Sequence, residues 1–201
     1  MNTRQRIITI AITVASLTVA STIGAGAKKS ATVKKAEQAA KAKVARGAYL
    51  VNVGGCNDCH TPWKMGANGP EPDMSRELSG HPEGLKMPPS PNLGKGPWVW
   101  AGAGTNTAYA GPWGVSYTAN LTPDRLTGIG IWDEQMFIRT IRTGKHWGVS
   151  RPILPPMPWQ NYRHMTDEDL GSIYAYLRSI KPIRNQVPDP ILAPPPQVAS
   201  K

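Results

Sequence analysis

Gly47-Ala48-Tyr49-Leu50-Val51-Asn52-Val53 runs with helical spacing into Gly54-Gly55, and Cys56-Asn57-Asp58-Cys59-His60 follows at once. Two thiols separated by two residues reach both vinyl groups of one porphyrin, and the adjacent histidine is then delivered beneath the iron. Cys-Xaa-Xaa-Cys-His is for that reason the attachment motif of c-type haem. A thioredoxin-type redox pair would open a helix after a buried strand in a βαβ context, which the flanking sequence lacks. A zinc site would need two more ligands at matching spacing. The chain holds only these 2 Cys, too few for a disulfide framework or a four-thiolate cluster. Cys56, Cys59 and His60 are therefore the candidate haem-binding residues, with His60 as the proximal iron ligand, and one motif means one covalently attached haem c.

Outward from this motif, the 201 residues bound the chain to one globular unit with extensions. The 20 Gly and 20 Pro leave room for a few helices joined by long loops, and argue against a coiled coil, a helical solenoid or a large parallel sheet. The net charge of +10 is concentrated before the motif: residues 28–46 hold seven basic residues and only Glu37. Residues 47–201 hold fourteen basic and twelve acidic residues, so a basic groove for nucleic acid has little to be built from.

Arg4 and Arg6 precede an uncharged run, Ile7 to Ala27, that closes on Ala25-Gly26-Ala27. Residues 1–27 read as a secretory signal or, because the run is long enough to span a bilayer, as an uncleaved N-terminal anchor with membrane association. Either reading places the body in the periplasm or another extracytoplasmic compartment. Residues 28–45 form an Ala/Lys-rich basic tether, whose alanines give a helix no large face to pack.

The chain resembles the class I c-type cytochromes, and most closely the haem modules of bacterial membrane-dehydrogenase cytochrome c subunits. The matching pieces are Arg46-Gly47-Ala48-Tyr49-Leu50, the haem motif, Asn120-Leu121-Thr122-Pro123-Asp124, Thr127-Gly128-Ile129-Gly130 with Trp132, and Leu154-Pro155-Pro156-Met157-Pro158-Trp159. The resemblance covers a domain at 46–182. It implies a methionine ligand just before the last helix.

Six methionines besides Met1 are candidates for that thioether. Met136 lies within a helix read as 133–143, with Asp133 as N-cap, Trp132 stapled to Phe137 and Gly144 as terminator. Met165 staples Leu170 at the start of a last helix capped by Thr166, and Leu170, Ile173, Leu177 and Ile180 form its apolar stripe. Met157 has no helical role. Pro156 and Pro158 reduce the freedom of its loop, which suits the presentation of a ligand. Met87, beside Pro88 and Pro89, is the rival thioether, Met65 and Met74 sit in polar loops, and His81, His146 and His164 are the alternatives for bis-histidine ligation. Loop histidines of this kind are expected at the surface.

Residues 61–115 form a long insertion with ten Gly, nine Pro and Trp63, Trp98, Trp100 and Trp113. Those tryptophans either cover the haem edge or anchor the loop. Residues 183–201 read as a Pro-rich extended tail. The expected fold is all-α, a class I cytochrome c-like helical bundle around one covalent haem, with helices near 34–55, 133–143 and 167–180. The expected function is one-electron transfer between redox protein partners, either as a carrier or as a dedicated subunit of a membrane dehydrogenase or respiratory complex. With His60 and Met157 on the iron no coordination site is open, which argues against an enzyme. A haem enzyme or gas sensor with a labile distal ligand is the contrasting reading.

Overall fold

A computed structural model gives the fold of residues 20–94 and 96–194. Most of the 1–27 export segment and residues 195–201 of the tail lie outside the described residues. The chain divides into two units, Met1–Lys41 and Ala42–Lys201. In the first, the described residues belong to helix α1 (Ala20–Val53), and residues 30–41 are exposed throughout. Among the described residues no helix is long and apolar enough to cross a membrane.

The second unit begins with the last turns of α1 and is built on α2 (Cys56–His60), α3 (Glu134–Thr143), α4 (Trp159–Tyr162) and α5 (Asp167–Ser179). The core takes Leu50 and Val51 from α1, Phe137, Ile138 and Ile141 from α3, and Leu170, Ile173 and Leu177 from α5. Each such side chain gains about 1.5–3 kcal/mol on burial. Leu78 and Ile129 reach the same cluster from loops.

Local chemistry sets the helix ends. Asp133 Oδ1 accepts from the Met136 amide at 2.6 Å, and Gly144 stops α3 with φ 64°. Thr166 Oγ1 accepts from the Asp169 amide at 3.1 Å, and Asp167, Glu168 and Asp169 fill the first turn of α5, where the helix dipole favours anions. The packing of α1 on α5 requires Gly47, because a Cβ there would lie 1.9 Å from the Ser172 carbonyl oxygen. Exposed ion pairs run from α1 to both neighbours: Arg46 meets Asp169 of α5 through two bonds, at 2.9 and 3.3 Å, and Lys43 meets Glu134 of α3 at 2.8 Å.

The all-α expectation is overturned by two antiparallel sheets. Strands β1 (Trp63–Gly66) and β2 (Gly69–Pro72) form a two-stranded hairpin. Strands β3 (Ala101–Gly102), β4 (Ala108–Gly111), β5 (Gly114–Tyr117) and β6 (Ile191–Leu192) form a four-stranded sheet in chain order. All lie in the 61–115 insertion, or run just past its end, except β6, which the tail contributes. These strands are two to four residues long and rich in Gly, Ala and Pro, too short for an alternation of apolar and polar side chains to announce them. Pro70 and Pro72 are tolerated because a two-stranded ribbon consists of edges.

The start of the tail is bolted into the domain. Asn185 is buried: its Nδ2 donates to the Ser79 and His81 carbonyls at 2.7 and 2.8 Å, and its Oδ1 accepts from the Glu83 amide at 2.9 Å. Asn120, also buried, donates from Nδ2 to the Ile183 carbonyl at 2.8 Å and accepts at Oδ1 from the Thr122 amide and hydroxyl.

Candidate haem-binding site

Gly54 and Gly55 end α1 and let the chain turn within two residues into α2. Gly55, at φ 65°, is the N-cap of α2, a conformation that side-chain-bearing residues adopt reluctantly. In this single helical turn Cys56 and Cys59 stand three residues apart, on one face, both as free thiols. Burial pushes the Cys56 thiol up to about 11. It is therefore protonated at neutral pH in the chain without haem.

His60 is buried, and its Nδ1 lies 2.8 Å from the Ala119 carbonyl oxygen. A carbonyl only accepts, so Nδ1 carries the proton and the Nε2 lone pair is left free. Among the described residues Nε2 has no hydrogen-bond partner. Desolvation lowers the pKa of His60, opposed by the Ala119 bond, so the ring stays neutral, the form in which a metal ligand is needed. The His60 carbonyl is itself held by the Gly80 amide at 2.7 Å.

The insertion grips the same turn. The Asp58 carbonyl accepts from Trp63 Nε1 at 2.9 Å and from Asn106 Nδ2 at 2.7 Å. Tyr109, buried in β4, places its hydroxyl 3.2 Å from Cys59 Sγ and donates to the Asn106 carbonyl at 2.7 Å. Burial, followed by contact with Cys59, raises the pKa of that hydroxyl. Trp63 thus anchors the loop. Trp100 packs edge-on against Tyr109 at 5.7 Å between ring centroids, Trp113 donates to Ser116 Oγ at 3.3 Å, and Trp98 is 76% exposed.

Met157 is half-buried and packs against the core cluster that Cys56 also touches. Its loop is fixed on both sides: Ser116 Oγ donates to the Pro155 carbonyl at 2.6 Å, and Tyr162 Oη donates to the Gly54 carbonyl at 2.6 Å. The indole of Trp159 lies directly against Gly144. The rival side chains are placed differently. Met65 and Met74 are 76% and 55% exposed, Met165 packs on the core, and Met136 is on α3. Met87 is half-buried in the insertion.

His164 is exposed, and His146 stacks on Trp147. His81 departs from the surface expectation. It is fully buried, with Nδ1 3.0 Å from Thr107 Oγ1 and Nε2 3.1 Å from the Leu85 carbonyl, so both ring nitrogens are already engaged. Tyr109, Asn106, Ser116 and Tyr162 were not legible as site residues. Tyr162 alone had a local signal, its place five residues beyond Met157 on the turn opened by Trp159.

The gluconate 2-dehydrogenase cytochrome c subunit of Pantoea cypripedii is 30% identical over 148 residues, 73% of this chain and 25% of its own length. The fructose dehydrogenase cytochrome subunit of Gluconobacter japonicus is 34% identical over 89 residues, 41% of this chain and 18% of its own. This chain is related to dehydrogenase cytochrome c subunits. A nicotinate dehydrogenase chain of Pseudomonas putida is also similar, 39% identical over 80 residues, 38% of this chain and 6% of its own. The chain thus spans a quarter or less of the length of these relatives. No family model matches it.

Kinship with cytochrome c subunits implies haem c, and the donor set fits that group. Two unpaired thiols at the required spacing and a neutral imidazole with its outer nitrogen free are what the cofactor needs from α2. Among the described residues no cluster of three or more His, Cys, Asp or Glu offers a rival metal site.

Proposed function

We propose that this chain is an exported, electron-transferring cytochrome c module that holds one haem covalently through Cys56 and Cys59, with His60 and Met157 as axial ligands. The His60 ring carries the reading: its Nδ1–H is committed to the Ala119 carbonyl, which presents Nε2 from the same turn that presents both thiols. When bound, the haem supplies a one-electron couple. The polypeptide attaches it, keeps the imidazole neutral and oriented, and offers a thioether from a loop tied at Pro155 and beyond Trp159. Two protein ligands close the iron to small substrates, which supports an electron-transfer role rather than an enzyme.

The relatives' names support a dehydrogenase as the redox partner. The basic tether at 28–45 supplies a docking arm for an acidic surface, and a leader or anchor at 1–27 puts the module outside the cytoplasm, where it joins a respiratory chain.

Protein matured in a host with haem-attachment machinery tests this. A denaturing gel should retain haem stain in the polypeptide band, and replacing both cysteines should abolish it. The ferric protein should show the weak near-infrared sulfur-to-iron band, lost in Met157→Ala and kept in Met87→Ala. Loss of all haem on denaturation would overturn covalent attachment, and rapid stoichiometric carbon monoxide binding by the reduced protein would overturn the closed iron.

A further inference from the structure

Tyr109 and Ser116 are directly opposed residues of the β4–β5 hairpin, and each reaches a different half of the candidate site. Tyr109 backs Cys59 Sγ at 3.2 Å and, through Asn106, fixes the Asp58 carbonyl of the attachment turn. Ser116 Oγ donates to the Pro155 carbonyl, two residues before Met157, at 2.6 Å. The same Ser116 oxygen accepts from Trp113 Nε1 at 3.3 Å, and its single proton goes to the Pro155 carbonyl at 2.6 Å in preference to the Tyr109 carbonyl at 3.5 Å. Both residues are buried, Tyr109 3% and Ser116 8% exposed.

We propose that the β4–β5 hairpin of the insertion is a clamp that keeps the Met157 loop closed over the haem-attachment turn, with Ser116 as its hook and Tyr109 as its anchor. The proposal rests on the reading of Met157 as the distal ligand. Pro155, Pro156 and Pro158 have no amide protons; the Pro158 carbonyl is held by the Asn161 amide at 2.9 Å, which fixes the loop after Met157, whereas the Pro155-Pro156 side before it has no backbone donor. A hydroxyl presented by a paired strand supplies the missing tie. The strand cannot drift, because its partner residue is pinned against the attachment turn. Tyr109 and Ser116 are positioning residues: neither ligates the iron.

The test uses full-length, haem-loaded ferric protein and imidazole as a competitor for the distal position. Imidazole binds only when Met157 leaves, so its apparent affinity reads the population of the open loop. Ser116→Ala should bind imidazole about five- to tenfold more tightly than wild type, the amount a lost hydrogen bond allows, and Ser116→Thr should restore the wild-type value. Tyr109→Phe keeps the buried ring and should move the affinity in the same direction. The two effects should be non-additive in the double variant, since hook and anchor act through one hairpin. Unchanged imidazole affinity in Ser116→Ala, with the wild-type near-infrared band intact, would overturn the clamp. Additive effects, or a lowered unfolding midpoint as the sole change, would overturn it as well. A wild type without the band would sink the Met157 reading itself, so the two failures are distinguishable.

Discussion

Tyr162 donates its hydroxyl proton to the Gly54 carbonyl oxygen at 2.6 Å, joining the helical turn after Met157 to the glycine turn before Cys56 across 108 residues of sequence. Burial raises the pKa of this hydroxyl, so it remains a donor at neutral pH. The bond ties the chain after Met157, as the Ser116 bond to the Pro155 carbonyl ties it before. The segment around Met157 and the turn that holds Cys56, Cys59 and His60 are thereby linked through a backbone carbonyl, whose position does not depend on a rotamer.

Tyr162→Phe preserves the ring and removes only this bond. It should cost about 1 kcal/mol of stability, the usual net value of a neutral hydrogen bond. The near-infrared band should also weaken, because the Met157 loop loses a restraint. Thermal unfolding and ferric spectra of the same preparation check this; full band intensity beside a lowered midpoint would confine Tyr162 to a structural role.

Gly47→Ala separates helix propensity from packing by sign. Alanine is the better helix former by about 1 kcal/mol, so a solvated helix would be stabilised. Here the new Cβ would lie 1.9 Å from the Ser172 carbonyl oxygen and 2.8 Å from Tyr176 Cβ, forcing α1 away from α5. The expected outcome is a loss of about 1–3 kcal/mol, the range for an overfilled contact, measured by denaturant unfolding.

Thr166→Ala should lose about 0.5–2 kcal/mol, since the Asp169 amide loses its acceptor at the start of α5. Thr166→Ser should recover most of it. Met157, the proposed distal ligand, lies nine residues upstream, so the near-infrared band is the second readout: a drop in intensity with the midpoint would tie the cap to the Met157 loop.

His81 predicts a pH dependence. Desolvation lowers its pKa below the ordinary 6.5, with the Leu85 carbonyl bond opposing, so the folded ring is neutral where the unfolded ring still binds a proton. The unfolded state binds more protons, and stability therefore rises with pH. The contribution is fully present above 6.5 and is lost as pH falls through the lowered folded pKa. Unfolding midpoints from pH 7.5 down to 4.5 should decline, and His81→Gln should reduce the decline that begins near 6.5, in which His146, lowered by burial as well, also shares.

The parts of this protein legible in the sequence are those whose signals are local. Asp133 and Thr166 cap helices because an oxygen and an amide three residues on meet in one turn. Leu170, Ile173 and Leu177 of the apolar stripe are buried as its period predicts, and Ile180, its last member, is half-buried at the C-cap. Cys56, Cys59 and His60 lie in one helical turn, so the spacing on which their proposed haem attachment rests is itself local.

What only the tertiary structure decided is non-local. Strand β6 pairs with β5 from more than seventy residues away, and Asn185 satisfies carbonyls at Ser79 and His81 from the start of a segment that reads as a loose tail. The Ala119 carbonyl that orients His60 carries no residue signal, since every residue has one. Tyr109 and Ser116 meet Cys59 and the Pro155 carbonyl only because strands of four residues put them opposite each other. Hydrogen bonds from the main chain hold such strands, and main-chain donors and acceptors are the same in every sequence except at proline.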